Sequence, residues 1–270
     1  MKVKTAIAIA SGLFTLATCA HAADVKPIRF ILVGDSTMAR SSGYGNAFCE
    51  RVVVEDTCIN LARAGRSSAS FRREGRWDEV EGLLKGSAAY RATYVLIQFG
   101  HNDQPGKPGH STDLATEFPA NMARYAREVT ALGGIPVLVT PLTRRTFVDG
   151  VLENNLRPWA EATLKVARDE HVPAVDLNAL SHDAVAAMGQ DQADTLAVAP
   201  RPAGYVGPAV LPGSPAPAQP SAAPMIPSTA SNGFDRTHLG RKGADLFATI
   251  VVQGVVKAVP ALAKAFKTPE

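Results

Sequence analysis

The sequence predicts an α/β fold in which helices cover both faces of a parallel sheet, and three observations support this prediction. Short apolar runs alternate along the chain with longer segments of helical periodicity. Each run is apolar at nearly every position, as in strands that are buried on both faces. At 270 residues the chain is long enough for one large domain of this type.

The first 22 residues are predicted to be an export signal. Two lysines precede an apolar run over 6–17, and the small residues Ala20 and Ala22 form the site that a signal peptidase reads. The run is too short to span a membrane, and no later stretch reaches spanning length. The alternatives are an uncleaved anchor and lipidation of Cys19. We expect cleavage near Ala22, a mature domain over 23–270, and a secreted or periplasmic protein.

Five apolar runs are predicted as strands, and three segments are predicted as helices. The strands are Ile28–Val33, Thr57–Leu61, Thr93–Gln98, Ile135–Thr140 and Val172–Leu177, and the helices cover about 114–132, 154–170 and 241–256. Strands separated by helices pair in parallel, because each helix returns the chain to the same edge of the sheet. Binding sites in such sheets form at the carboxyl ends of the strands. Residues that directly follow a strand are therefore the candidates for function.

One segment, over 197–231, breaks the alternation of strands and helices. It contains nine prolines and a single charged residue, Arg201. This many prolines exclude a regular helix or an interior strand. We expect a flexible, extended insert. The alternative is a lid, because the segment ends just before a candidate catalytic motif that begins at Asp235.

Composition, charge and cysteine content restrict the class of protein. Apolar residues make up 46% of the chain and charged residues 20%, so the chain can form a core. The formal net charge is +3, and two of these charges lie in the leader, so no nucleic acid is expected as a partner. In an oxidising compartment Cys49 and Cys58 are predicted to form a disulfide, with two buried thiols as the alternative. No cysteine pattern indicates a structural zinc site.

The first chemical motif places a serine directly after the first strand, in the sequence Gly34-Asp35-Ser36-Thr37. At a strand-to-helix turn its hydroxyl would project over the carboxyl edge of the sheet. Its backbone N–H could face a developing oxyanion, and the dipole of the following helix would assist. The alternative is a serine that caps a helix. Met38 replaces the second glycine of the G-x-S-x-G elbow, so an α/β-hydrolase is not predicted.

Three further motifs could complete a serine-dependent site. Asp235 precedes His238 by three positions, a spacing that can hold Nδ1–H on the carboxylate while Nε2 faces a nucleophile. Gly65, after the second strand, offers an unobstructed N–H, and Asn102, after the third strand, offers an amide donor. Each motif alone could be an ordinary turn or a helix cap. Together they place nucleophile, base and oxyanion donors at one edge of the sheet.

The four motifs, in this order, resemble those of the SGNH (GDSL-like) hydrolase superfamily, whose name residues match Ser36, Gly65, Asn102 and His238. The closer resemblance is to rhamnogalacturonan acetylesterases, on GDSTMA (34–39), AGRSS (64–68), REGRW (73–77), QFGHND (98–103) and DRTHL (235–239). It implies a three-layer α/β/α sandwich with five parallel strands in the flavodoxin-like order 2-1-3-4-5. It also implies serine-dependent deacetylation with no metal or cofactor. The insert over 197–231 departs from the family pattern, which leaves the local shape of the substrate groove open.

The resemblance to rhamnogalacturonan acetylesterases favours an acetylated pectic polysaccharide as the substrate. Arginine side chains suit uronate carboxylates, and Arg144 and Arg145 follow the fourth strand at the expected active edge. We expect both to contact substrate, together with His101, which directly precedes Asn102. A second basic cluster lies over 63–76, for which a solvated face with internal salt bridges is the alternative. The protein is expected to be a monomer.

Two other functions remain open from the sequence. One is a different esterase of the same superfamily, such as a lipase, a thioesterase or a xylan acetylesterase. The other is a non-catalytic carbohydrate-binding protein on the same scaffold. A binding protein would not need Ser36, Asp235 and His238 together, which favours an enzyme.

Overall fold

The computed structural model describes residues 26–204 and 234–268. The predicted leader lies outside the described residues, as do residues 205–231 of the predicted insert. None of the helices in the described part of the chain combines the length and the apolarity that a membrane crossing requires.

Seven strands and seven α-helices follow one another in the described residues. They are β1 Ile28–Gly34, α1 Gly45–Arg51, β2 Thr57–Asn60, α2 Ser70–Arg73, α3 Arg76–Lys85, β3 Ala92–Gln98, α4 Glu117–Ala131, β4 Ile135–Val139, β5 Phe147–Val148, β6 Val151–Leu152, α5 Arg157–Asp169, β7 Ala174–Val175, α6 Leu177–Asp194 and α7 Arg241–Ala258. Short 3-10 helices occupy Ser87–Ala89 and Pro260–Ala265.

The main sheet has five strands in the order β2-β1-β3-β4-β7, and all of its pairings are parallel. This is the predicted order, since β7 is the fifth strand of this sheet. The fifth strand is shorter than predicted because Asp176 leaves the sheet and caps α6, where its carboxylate accepts the Ala179 N–H at 3.2 Å. The strands β5 and β6 form a separate antiparallel hairpin.

Alternating side chains of the sheet face two separate cores, as a pleated strand requires. On one face Phe30 and Leu32 pack with residues of α1, α6 and α7. On the other face Ile31 and Val33 pack with residues of α2, α3, α4 and α5. The result is the predicted three-layer α/β/α sandwich. Four of these helices, α1, α2, α3 and α6, were not predicted.

Cys49 of α1 and Cys58 of β2 form a disulfide, with the two Cα atoms 5.3 Å apart. The bond ties the first helix to the edge strand of the sheet. Both residues pack partly buried against the core on that face. The structure therefore excludes the alternative of two buried thiols at these positions.

Candidate active site

Ser36 follows β1 at the carboxyl edge of the sheet and is almost completely buried. The chain continues in turns, and the next helix begins only at Gly45, so the expectation of a strand-to-helix turn is wrong. The Ala39 N–H donates to the Asp35 carbonyl at 3.0 Å, and the Ser42 hydroxyl donates to the Ser36 carbonyl at 2.8 Å. Hydrogen bonds within this loop, and not a helix dipole, therefore position the serine.

Ser36, His238 and Asp235 form a hydrogen-bonded chain. The distance from Ser36 Oγ to His238 Nε2 is 2.8 Å, and the distance from His238 Nδ1 to Asp235 Oδ2 is also 2.8 Å. With Nδ1–H donating to the carboxylate, Nε2 is the acceptor for the serine hydroxyl. This is the arrangement of a nucleophile, a general base and a group that orients the base.

The carboxylate of Asp235 is bound on both of its oxygens. Oδ2 faces the His238 ring, while Oδ1 accepts the backbone N–H groups of Thr237 and His238 at 2.9 and 3.0 Å. Burial acts to raise the pKa of Asp235, but these hydrogen bonds and the charge of His238 outweigh it and hold the pKa well below its usual range. Asp235 is therefore ionised and can serve as the anionic partner of the imidazole.

The three predicted oxyanion donors follow β1, β2 and β3. Among the described residues, no protein acceptor takes the N–H of Ser36 or of Gly65. Gly65 adopts a positive φ of 79°, a conformation that favours glycine, and a Cβ atom there would have no neighbour within 4 Å. The Asn102 amide donates one N–H to the Arg66 carbonyl at 3.0 Å, which ties it to the loop that carries Gly65.

A buried polar network lies beneath the serine. Asp35 Oδ1 accepts both the backbone N–H and the hydroxyl of Thr37 at 2.8 Å. The Gln98 amide donates to the Thr37 hydroxyl at 2.6 Å and accepts the Tyr44 hydroxyl at 2.7 Å. Asp35 thus has a structural role, and the network fixes the backbone on either side of Ser36.

The structure places His101, which we predicted to contact substrate, almost completely inside the protein. Its ring is buried, with Nδ1 at 3.3 Å from Asp35 Oδ2. Burial lowers the pKa of His101, and the neighbouring Asp35 only partly opposes this shift. The buried ring therefore lies against Asp35, the residue before the nucleophile.

The two arginines after β4, which we predicted to bind substrate, are both buried and donate to other residues of the chain. Arg144 is buried and donates to Asn155 Oδ1 at 2.8 Å. Arg145 is fully buried and donates to the His238 carbonyl at 2.8 Å, while its backbone N–H donates to the Arg236 carbonyl at 2.9 Å. Arg145 therefore holds the segment that carries the catalytic histidine, although burial lowers its pKa to about 10.

A second arginine anchors the same segment. Arg236 forms a bidentate pair with Asp194, the last residue of α6, through contacts of 2.8 and 2.9 Å, and both side chains are buried. Arg201 reaches the same carboxylate at 3.1 Å from a more exposed position. Sequence reasoning missed Asp194 because its partner lies 42 positions along the chain, and no spacing rule joins them.

Asp103 joins the loops after β2 and β3. Its carboxylate accepts the Ser68 N–H and hydroxyl at 3.0 and 2.5 Å and the Thr112 hydroxyl at 3.0 Å. Burial raises the pKa of Asp103 to about 6, although these hydrogen bonds oppose the shift. Asp103 therefore shapes the turn that follows Asn102.

Most of the basic cluster over 63–76 is engaged in internal contacts. Arg66 and Arg76 face Glu74, Arg72 faces Glu128, and Arg73 donates to a backbone carbonyl. Arg63 differs from the other four arginines. It is exposed, and the described residues give its side chain no ion pair or hydrogen bond. Its backbone N–H donates to Gly34 O at 2.9 Å, which places it beside the end of β1.

The fold and the site together define a serine hydrolase whose nucleophile, base and oxyanion donors meet at one edge of a parallel sheet. In the described residues, no group of three or more His, Cys, Asp or Glu side chains is arranged to hold a metal ion. A comparison with family models matches residues 32–206 to the GDSL-like lipase/acylhydrolase family. The chain belongs to this family of SGNH hydrolases, and it is an esterase related at modest identity to rhamnogalacturonan acetylesterases.

Two curated relatives illustrate that relationship. The chain is 30% identical over 239 residues to the rhamnogalacturonan acetylesterase RhgT of Bacillus subtilis, an alignment that covers 85% of this chain and 90% of the relative. It is 44% identical to a rhamnogalacturonan acetylesterase of Emericella nidulans over 73 residues, 27% of each chain.

Solved structures show the same fold at lower identity. A Bacillus subtilis protein superposes with a TM-score of 0.61 at 24% identity, and the match covers 89% of this chain and 58% of that one. A mutant of Axe2, an acetyl-xylooligosaccharide esterase from Geobacillus, superposes with a TM-score of 0.54 at 13% identity, covering 89% of this chain and 97% of that one.

Proposed function

We propose that the protein is an exported carbohydrate esterase that removes O-acetyl groups from a pectic polysaccharide of the rhamnogalacturonan type. The observation that carries this proposal is the unbroken chain of hydrogen bonds from Ser36 through His238 to Asp235. Similarity to a rhamnogalacturonan acetylesterase over most of both chains supports the choice of substrate class.

The first chemical step is attack of Ser36 Oγ on the acetyl carbonyl. His238 Nε2 accepts the serine proton as the C–O bond forms, and Asp235 stabilises the resulting imidazolium. The carbonyl oxygen becomes an oxyanion, which the N–H groups of Ser36 and Gly65 and the Asn102 amide are placed to bind. Loss of one such donor typically lowers the rate about 100- to 1,000-fold, or ~3–4 kcal/mol of barrier.

Collapse of the tetrahedral intermediate releases the sugar and leaves an acetyl-enzyme. His238 gives its proton to the departing sugar oxygen and then accepts a proton from water, which attacks the acetyl carbonyl. A second collapse releases acetate and returns the hydrogen to Ser36 Oγ. The same oxyanion donors serve both halves of the reaction, so no further group is needed.

The chemistry is tested by measuring acetate release from acetylated rhamnogalacturonan, acetylated xylan and a long-chain aryl ester, with Ser36→Ala as control. Fast release that depends on Ser36 and is confined to the pectic polymer supports the proposal. A preference for xylan or for the long-chain ester would retain the serine mechanism and reject the substrate. Activity that survives in Ser36→Ala would reject the mechanism.

Arg63 is the arginine that we assign to the substrate carboxylate, since the other candidates are engaged in internal contacts. It lies beside the end of β1 and two residues before Gly65, and its guanidinium is exposed to solvent. Arg63→Ala should raise KM about tenfold for a uronate-containing polymer and leave an aryl acetate unaffected. Arg127→Ala, at an exposed arginine of α4, is the matched control. Equal changes on both substrates would reject this assignment.

Export is proposed from the leader pattern of the first 22 residues. The Cys49–Cys58 disulfide is consistent with it, because such bonds persist mainly in oxidising compartments. Mass spectrometry of the protein from fractionated cells should find a mature N-terminus near Ala22. A cytosolic chain that retains the intact leader would contradict the proposal.

A further inference from the structure

Lys107 contacts the turn that carries the oxyanion donor Asn102. Its Nζ donates to Asn102 Oδ1 at 3.1 Å and to the His101 carbonyl at 2.9 Å. The backbone around Lys107 is fixed, because its N–H donates to the Ser111 hydroxyl at 2.9 Å and its carbonyl accepts the Ser111 N–H at 2.9 Å. The ammonium group is therefore held against the amide by a closed turn.

The contact determines which end of the amide faces the reaction. The carbonyl and amino ends of asparagine have nearly the same shape, so the groups around them decide the orientation. An ammonium group can only donate, and it therefore requires Oδ1 on its own side. The Arg66 carbonyl can only accept and takes one N–H of Nδ2 at 3.0 Å on the other side. Both contacts select the same orientation, which leaves the second N–H of Nδ2 for the oxyanion.

The charge of the ammonium group strengthens its contact with the Asn102 amide. Burial lowers the pKa of Lys107, whereas the carboxylates of Asp35 and Asp103 act in the opposite direction. The side chain is partly withdrawn from solvent, so its charge is less screened than that of a surface lysine. Its donation to Oδ1 also polarises the amide and makes the N–H a stronger donor.

We propose that Lys107 is a positioning residue for the esterase reaction, one that orients and polarises the Asn102 amide as an oxyanion donor. This inference rests on the proposed function. It assigns a role to a side chain that lies outside the four motifs and touches neither Ser36 nor His238 in this structure.

A double-mutant cycle tests the proposal. Lys107→Met, Asn102→Ala and the double variant are compared for kcat and KM on an aryl acetate, with rates in Ser36→Ala subtracted. Lys107→Met should lower kcat about 10- to 100-fold with little change in KM, because the donor acts in the transition state. In the Asn102→Ala background the same substitution should lower kcat less than about threefold, because the amide through which Lys107 acts is absent.

Two variants separate positioning from a general effect on the fold. Lys107→Arg retains a donor and should recover most of kcat. Lys165→Met, at an exposed lysine of α5, removes a positive charge far from the turn and should match the wild type. A normal kcat in Lys107→Met, or an equal loss in both backgrounds, would overturn the proposal. If Lys107→Met does not fold, Lys107→Ala, which also lacks a donor, replaces it in the cycle under the same criteria.

A spectroscopic measurement that does not depend on turnover tests this inference separately from the proposed function. The side-chain amide signals of Asn102 in a ¹H–¹⁵N spectrum are assigned by their absence in Asn102→Ala. They should move in Lys107→Met and stay in place in Lys165→Met. Unmoved signals would overturn the contact itself. Absence of Ser36-dependent turnover in the wild type would instead reject the proposed function, and the spectra would still decide on the contact.

Discussion

Removing the carboxylate of Asp194 should both destabilise the protein and impair catalysis, because this side chain anchors the segment that carries His238. Asp194→Ala deletes two contacts of 2.8 and 2.9 Å to the Arg236 guanidinium. Both side chains are buried, so water cannot readily replace the lost acceptor. Arg236 lies between Asp235 and His238 in sequence, and a shift of its side chain would therefore move the catalytic pair.

The magnitude follows from the burial of the pair. Breaking a buried ion pair by removal of one partner costs about 3–5 kcal/mol. At ~1.4 kcal/mol per factor of ten, the lower figure raises the unfolded fraction about 100-fold. For a domain of this size each kcal/mol lowers the melting temperature by roughly 2–4 °C, so a cost of about 3–5 kcal/mol gives a fall of roughly 6–20 °C.

The assay is urea unfolding and thermal unfolding, both followed by circular dichroism, together with kcat on an aryl acetate. The matched control is Asp191→Ala, three residues earlier on the same helix, where an exposed carboxylate faces Arg201 at 2.7 Å. Exposed pairs contribute about 0–1 kcal/mol, so this variant should unfold almost like the wild type. Equal stability of Asp194→Ala and the wild type, or equal losses in both variants, would refute the reasoning.

Three further predictions concern the loop after β1, a buried carboxyl group and the disulfide. Gly43→Ala should lower the free energy of unfolding by at least about 1–3 kcal/mol and also lower kcat, because the new Cβ would lie 2.2 Å from the Thr37 carbonyl carbon. A variant with the unfolding midpoint and the kcat of the wild type would contradict this. Asp103 has a folded-state pKa of about 6, above the unfolded value of about 3.9, so its contribution to stability falls as pH rises through that interval. Asp103→Asn should flatten that decline in urea unfolding curves between pH about 4 and about 6, and an unchanged slope would argue against a raised pKa. Replacing Cys49 and Cys58 with alanine should lower the free energy of unfolding by about 2.5 kcal/mol, because the bond restricts a loop of nine residues in the unfolded chain. Unchanged thermal unfolding would contradict this.

The sheet could be predicted from sequence because its strands are buried on both faces. Such strands are nearly continuous apolar runs, and their signal survives without an alternating pattern. Ile28–Gly34 and Ala92–Gln98 lie within a residue of their predicted bounds. The helix Leu177–Asp194 was missed because its apolar residues follow no clear helical stripe and Gly189, at a φ of 72°, interrupts it.

The directions of the arginine side chains could not be predicted. Sequence placed Arg144 and Arg145 correctly after β4, but their acceptors are Asn155 and, more than 90 positions away, the carbonyl of His238. A basic residue at the active edge can point outward to a ligand or inward to backbone oxygens, and its position in sequence is the same in both cases. Which of the two directions the side chain takes depends on whether a remote segment, here residues 235–238, places a carbonyl within its reach.

The catalytic segment itself shows why those inward arginines matter. Residues 235–238 form no helix or sheet strand, so no regular hydrogen-bond ladder fixes them relative to Ser36, about 200 positions earlier. A misplacement of about 1 Å in a catalytic group can cost about 100-fold in rate. The segment is instead held by Arg145, which binds its carbonyls, and by Arg236, which binds the end of α6. Precise catalysis by this irregular segment therefore depends on two buried guanidinium groups that hold it from behind.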